Sequence, residues 1–154
     1  MKRRPLEWTG KIAAQSCAIF LLIGFCLLLT TGSCTAQEQE KQKAAIADAK
    51  EWLGLVDQGK YAESWTQAAA YFKNAVTQEK WLQALDGARK PLGELVSREV
   101  TDAVYTTSLP GAPDGEYMVI HFQTSFANKR SATETVTTML EKDGKWRVSG
   151  YFIK

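Results

Sequence analysis

One histidine stands in the 154-residue chain, His121, in the clearest strand pattern of the sequence, residues 116–126. Imidazole changes charge near neutral pH, so it is the first group to consider as a general base. Its candidate partner is Glu134. A hairpin register places the two diagonally across neighbouring strands, roughly 7–8 Å apart at the backbone, a gap that long side chains bridge. In that register Gln123 faces Glu134, and Val136 faces both His121 and Tyr151. A histidine beside a carboxylate would suit a small-molecule enzyme of isomerase or dehydratase type, with His121 and Glu134 as its catalytic pair. A solvated sheet face carrying a surface histidine explains the same residues more simply. Gln123, Arg147 and Tyr151 are the candidates for ligand contact. Arg and Tyr are favoured at interface hot spots. Arg147, Tyr151 and the connection at residues 109–115 would form a partner surface at the outer end of the sheet.

The remaining composition excludes several chemistries. The glycines are scattered and form no phosphate-binding loop. Cys17, Cys26 and Cys34 all lie in or just after the apolar N-terminal run, so the domain has no disulfide, no CxxC pair and no cysteine zinc site. Neither a metal nor a cofactor is expected. Lys2, Arg3, Arg4 and Lys11 outweigh Glu7 in the first 36 residues; the other 118 carry 15 basic and 16 acidic groups. No basic stripe marks a nucleic-acid partner.

Those first 36 residues have the order of a secretory signal. Residues 1–11 are basic, residues 12–29 are apolar apart from Gln15 and Ser16, and residues 30–36 are small. Positive charge ahead of the run keeps that end cytoplasmic and sends the rest across. Residues 1–36 are therefore a signal peptide or an N-terminal membrane anchor, and residues 37–154 are exported to the periplasm or cell envelope. Three outcomes stay open. Cleavage after Ala36 releases a soluble protein. Cleavage before Cys34 makes a lipidated N-terminus, since Thr31-Gly32-Ser33-Cys34 resembles a bacterial lipobox with Thr31 where Leu is usual. No cleavage leaves a single anchor, because the run approaches the ~18–20 residues that span a bilayer.

Helices and strands hold the candidate residues in place. Residues 37–44 are charged and glutamine-rich, a spacer or a frayed first turn, and residues 45–154 make a single α+β domain. Ala45, Ala49, Trp52, Leu53 and Val56 recur at helical spacing, which predicts a first helix over about residues 39–58, ended by Gly59. Tyr61, Trp65, Ala68, Ala69, Phe72 and Val76 predict a second. Thr77 caps a third over residues 78–89, which Pro91 stops. Trp52, Trp65 and Trp81 lie on these apolar faces, as core packing or as an aromatic ligand cage. Four strands come after the helices, at residues 95–107, 116–126, 131–141 and 145–153. Val96, Val100 and Val104 lie four apart, with Arg98 and Asp102 between them, the mark of a bend or bulge. Asp143-Gly144 signals a two-residue hairpin in which Lys142 faces Lys145. If Asn128 and Lys129 centre the previous turn, Phe126 faces Ser131. Met118, Ile120, Phe122, Trp146, Val148 and Phe152 then share the helix-packed face with Thr133, Thr135 and Thr137. His121, Glu134 and Tyr151 fall on the other. A slip of one residue would exchange a strand's faces.

Several segments together resemble the bacterial domain-of-unknown-function family 4019, over about residues 45–154. They are residues 45–59 with their Trp-Leu, Tyr61-Ala62-Glu63-Ser64-Trp65, Pro91-Leu92-Gly93, residues 109–117 with Pro113-Asp114-Gly115-Glu116-Tyr117, Phe122, Glu134-Thr135-Val136, and residues 146–153. The resemblance implies an exported or anchored protein and supplies no catalytic residues. The order of elements is similar to the α+β cone of the nuclear-transport-factor-two-like and cystatin-like folds. That likeness implies three N-terminal helices packed on a four-stranded antiparallel meander, curved like a cone. Such folds host isomerases, dehydratases and non-enzymatic modules alike. The reading that results is an exported, non-enzymatic binding or accessory module of the cell envelope. The enzyme built on His121 and Glu134 is the alternative, and a homodimer through the sheet is a third.

Overall fold

Helix α1, Gly32–Asp57, carries Ala45, Ala49, Trp52, Leu53 and Val56 on one buried face, at the spacing the sequence predicts. The computed structural model describes residues 32–154, so residues 1–31 of the signal or anchor segment expected over residues 1–36 lie outside the described residues. Residues 37–44, read as a spacer or a frayed first turn, are part of helix α1. Among the described residues no helix is long and apolar enough to cross a membrane. Glu38–Lys154 forms one compact unit. At the end of α1, Gly59 takes φ +72°, and its N–H donates to the Val56 carbonyl at 3.1 Å.

The second predicted helix is two short ones, α2 (Tyr61–Gln67) and α3 (Ala70–Ala75). Ala68 and Ala69 between them are extended and fully buried. Three successive alanines would continue a helix on propensity alone. A tertiary bond decides otherwise: the Ala69 N–H donates to the Val148 carbonyl at 2.8 Å, on the open edge of the sheet. The tryptophans serve the same region. Trp52 Nε1 donates to the Ser64 carbonyl at 2.7 Å and Trp65 Nε1 to the Val76 carbonyl at 2.8 Å. Helix α4, Gln78–Ala88, starts as predicted, with Thr77 Oγ1 accepting from the Lys80 N–H. It passes into a 3₁₀ turn, Lys90–Leu92, that contains Pro91.

The sheet is antiparallel, in the order β1 (Leu95–Thr106), β2 (Tyr117–Phe126), β3 (Lys129–Leu140), β4 (Trp146–Ile153), and it does not close. Between β3 and β4 the hairpin register holds from Glu134↔Ile153 to Thr137↔Gly150. It then shifts by one, so that Thr138 faces Val148 and Leu140 faces Trp146. This bulge turns Tyr151 toward the helices and leaves Phe152, expected in the core, 62% exposed.

The β2–β3 register departs from expectation. Phe126 pairs with Lys129 rather than Ser131, so Ala127 and Asn128 form the turn. A bulge next to it sets Phe122 against Glu134 and His121 against Thr135. The one-residue difference exchanges the faces of β3. Ala132, Glu134, Val136 and Thr138 are buried with Met118, Ile120 and Phe122, while Thr133, Thr135 and Thr137 turn away. In β1, register shifts flank Val96 and Thr101, the irregularity its valine spacing predicts. They bring Val100, Ala103 and Tyr105 onto the core and leave Val96 and Val104 exposed.

Between the layers lies an aromatic group. Trp81 packs edge-on to Phe72 with centroids 5.1 Å apart, and Tyr151 is edge-on to Trp52 at 5.5 Å. Trp52 and Trp81 are core residues and Trp65 packs against the same cluster.

Candidate functional site

The structure does not bring His121 and Glu134 together. They occupy opposite faces of the sheet, because Glu134 lies across from Phe122, one residue along from His121. His121 is 38% exposed, with Nδ1 3.7 Å from Asp102 Oδ2 on β1, too far for a hydrogen bond. Gln123 is also on the outer face, where its Nε2 reaches Ser131 Oγ and the Ala132 carbonyl, each at 3.3 Å.

Glu134 is fully buried and fully engaged. Its Oε2 accepts from Arg98 Nε and from Thr124 Oγ1, both at 2.6 Å. Its Oε1 accepts from Arg98 Nη2 at 3.2 Å and from the Tyr151 hydroxyl. The same guanidinium donates to Asp57 at the end of α1, Nη1 to Oδ2 at 2.6 Å and Nη2 to Oδ1 at 3.0 Å. Arg89 adds a bond to Asp57 Oδ1 at 3.1 Å and one to the Gly93 carbonyl at 2.6 Å, while lying 4.3 Å from the Phe126 ring centroid. Burial alone would pull the Arg98 pKa down; the bonds to Asp57 and Glu134 outweigh it and hold the group charged. Burial, then the Glu134 charge, keeps the Tyr151 phenol neutral far above its usual range. These bonds commit Glu134 to buried partners on the face of the sheet opposite His121. In the sequence Arg98 shows only as a charge among valines. Its partners Asp57 and Arg89 come from distant segments, so nothing local marks them.

A cleft opens elsewhere, bounded by α1, the α2–α3 break and the β3–β4 hairpin, with a volume of about 690 Å³. Trp52, Trp146 and Val148, all buried, contribute its apolar lining. Polar side chains complete it: Asp48 and Glu51 from α1, Thr66 and Gln67 from α2, Lys73 from α3, and Glu141, Lys145 and Arg147 from the hairpin and β4. Glu141 joins two of these walls. Its Oε1 accepts from the Ala70 N–H at 2.7 Å and its Oε2 from Arg147 Nη1 at 2.6 Å. Arg147 also grips Asp143 through two nitrogens, at 2.9 and 2.7 Å. That bidentate contact holds the Asp143 carboxyl well below its ordinary range, at about 2. Lys73 Nζ donates to the Thr66 carbonyl at 3.0 Å. The side chains of Asp48, Glu51 and Lys145 have no hydrogen-bond or ion-pair partner among the described residues.

Of the three ligand candidates, then, Arg147 alone lines the cleft. Tyr151 points into the buried network, and Gln123 is across the sheet. The connection at residues 109–115 is fastened down separately, Tyr117 donating to the Pro113 carbonyl at 2.6 Å and Tyr71 to the Gly111 carbonyl at 2.7 Å. Among the described residues no three His, Cys, Asp or Glu side chains are grouped to hold a metal ion.

No curated protein matches the chain. A family model described as a protein of unknown function, DUF4019, matches residues 48–151. The match begins at Asp48 on the cleft and ends at Tyr151 in the buried network, so both features lie within it, and the chain belongs to the DUF4019 family.

Proposed function

We propose that this chain is an exported, non-enzymatic binding module of the cell envelope, and that the cleft beside the β3–β4 hairpin is its binding site. The observation that carries the reading is the cleft itself. It gathers eight polar side chains around a small apolar area and has a volume within the range of small-molecule sites. Glu134, by contrast, is committed to the buried Asp57–Arg98–Glu134 network, and His121 lies on the opposite face of the sheet, 3.7 Å from Asp102. Export rests on the basic, apolar and small-residue order of residues 1–36.

Amide chemical-shift mapping of the ¹⁵N-labelled full chain in detergent tests the binding role, against a panel of amino acids, short peptides, sugars and nucleotides. Saturable shifts centred on Thr66, Gln67, Lys73 and Arg147, with the compound recovered unchanged, support it. Conversion of a compound, with shifts centred on His121, would overturn it in favour of the enzyme. Protease treatment of intact spheroplasts tests export: residues 38–154 should be digested without lysis, and protection until lysis would sink that part. Mass spectrometry of the same material distinguishes a diacylglyceryl group on Cys34 from a free or uncleaved N-terminus.

A further inference from the structure

The charges of the cleft are sorted by element, and this bears on what fits it. Asp48 and Glu51 sit one turn apart on α1, on the same face, with no partner among the described residues. The cationic groups come from elsewhere: Lys73 from α3 and Lys145 from the hairpin. Arg147 is already committed, since two carboxylates, Asp143 and Glu141, take up its guanidinium. The Lys73 ammonium has only a backbone carbonyl, and the Lys145 ammonium makes no hydrogen bond or ion pair among the described residues, though its charge helps to lower Asp143. Two carboxylates on one element and two ammonium groups on others therefore remain to be matched.

We infer that the cleft takes a zwitterionic ligand, a short peptide with both ends free, its ammonium toward Asp48 and Glu51 and its carboxylate toward Lys73 and Lys145. The inference rests on the cleft being a binding site. A dianion would meet Asp48 and Glu51 unpaired, and a polycation would meet the two lysines. A neutral sugar would hydrogen-bond to these groups but bring no charge to offset any of the four, whereas a zwitterion answers both signs. Only small parts of Trp52, Trp146 and Val148 reach the cleft, which suits a short ligand with small side chains, and Thr66 and Gln67 can bond to peptide groups. The volume, within the range of small-molecule pockets, has room for roughly two or three residues.

Trialanine, its N-acetylated form and its C-terminal amide are the probes, titrated calorimetrically into the full chain. Free trialanine should bind, and blocking either end should weaken binding about tenfold, the loss expected for one charge-assisted contact. The double variant Asp48→Asn, Glu51→Gln should no longer distinguish the acetylated peptide from the free one, while still rejecting the amide. Lys73→Gln with Lys145→Gln should show the opposite pattern. All four side chains lie at the cleft surface, so an unchanged melting temperature verifies folding. Equal binding of all three probes would overturn the zwitterion and leave the cleft as a site. So would shifts at Thr66 and Gln67 produced by a sugar but by no peptide. If no compound of the panel perturbs the cleft, both readings fall.

Discussion

Arg98 stands among valines in β1, and its guanidinium joins Asp57 of α1 to Glu134 of β3. Burying an ion pair is rarely a net gain, but removing one member leaves the other charged where water does not reach. Glu134 is 0% exposed, so Arg98→Met should lower stability by about 3–5 kcal/mol. Adding Glu134→Leu should recover part of that loss, because β3 then carries no buried charge and Asp57 keeps Arg89, while the Thr124 and Tyr151 hydroxyls lose their acceptor. Urea denaturation reads both changes as midpoint shifts at unchanged slope. Losses that simply add would show the pair to be uncoupled. His121→Ala makes the contrast. Its imidazole is partly exposed and 3.7 Å from Asp102, so the change should stay within about 0.5 kcal/mol.

The α2–α3 break depends on contacts that local propensity does not describe. Two adjacent N–H groups there face different partners: Ala69 donates to the Val148 carbonyl of β4, and Ala70 to the Glu141 carboxylate. Glu141→Ala should therefore speed hydrogen exchange at Ala70 and leave Ala69 slow, as amide-resolved exchange would record; equal acceleration at both would mean that the break is held by Glu141 alone. Elements of this kind are also where the sequence stops being legible. The apolar stripe of α1 and the Thr77 cap of α4 are local patterns, and both can be read directly. The position of the β3–β4 turn is legible because Gly144 takes a positive φ of +78° there. Glu141 rather than Lys142 pairs with Lys145, however, so the turn has three residues and not the expected two. The Ala127-Asn128 turn has no glycine and an adjacent bulge, so the register expected from sequence is one residue out. That slip places Glu134 beside His121 when it belongs in the core. The α+β order survives such an error, since it needs only the sequence of elements. The cleft does not, because its lining comes from α1, α2, α3, the hairpin and β4, and of its polar residues the sequence singles out Arg147 alone.

At the scale of the whole molecule, α1 is fastened to the sheet at two places with different exposure to water. Near its exit, Asp57 joins the buried Arg98 and Arg89. Several turns earlier, Lys41 pairs with Glu116 at the start of the sheet, where the Tyr105 hydroxyl also donates to Glu116 at 3.0 Å. The hydrogen bond from Lys41 is the chief cause holding the Glu116 carboxyl below its ordinary value, against a smaller opposing effect of burial. A carboxyl depressed by folding adds stability above its unfolded pKa, about 4.3 for Glu, and loses that stability as pH falls through the folded value. The melting-temperature difference between the wild type and Lys41→Met should thus be widest near pH 6 and shrink steadily below about pH 4. A difference constant from pH 6 to pH 2 would mean that Lys41 acts through the Tyr105 ring, 5.3 Å from its ammonium, rather than through the Glu116 carboxylate. The hairpin beside the cleft carries a second depressed carboxyl, since the hydrogen bonds from Arg147 hold Asp143 at about 2. Carboxyl-resolved NMR titration should find Asp143 well below the ordinary aspartate range in the wild type and returned toward it in Arg147→Gln; an unchanged value in the variant would mean that the guanidinium does not set it.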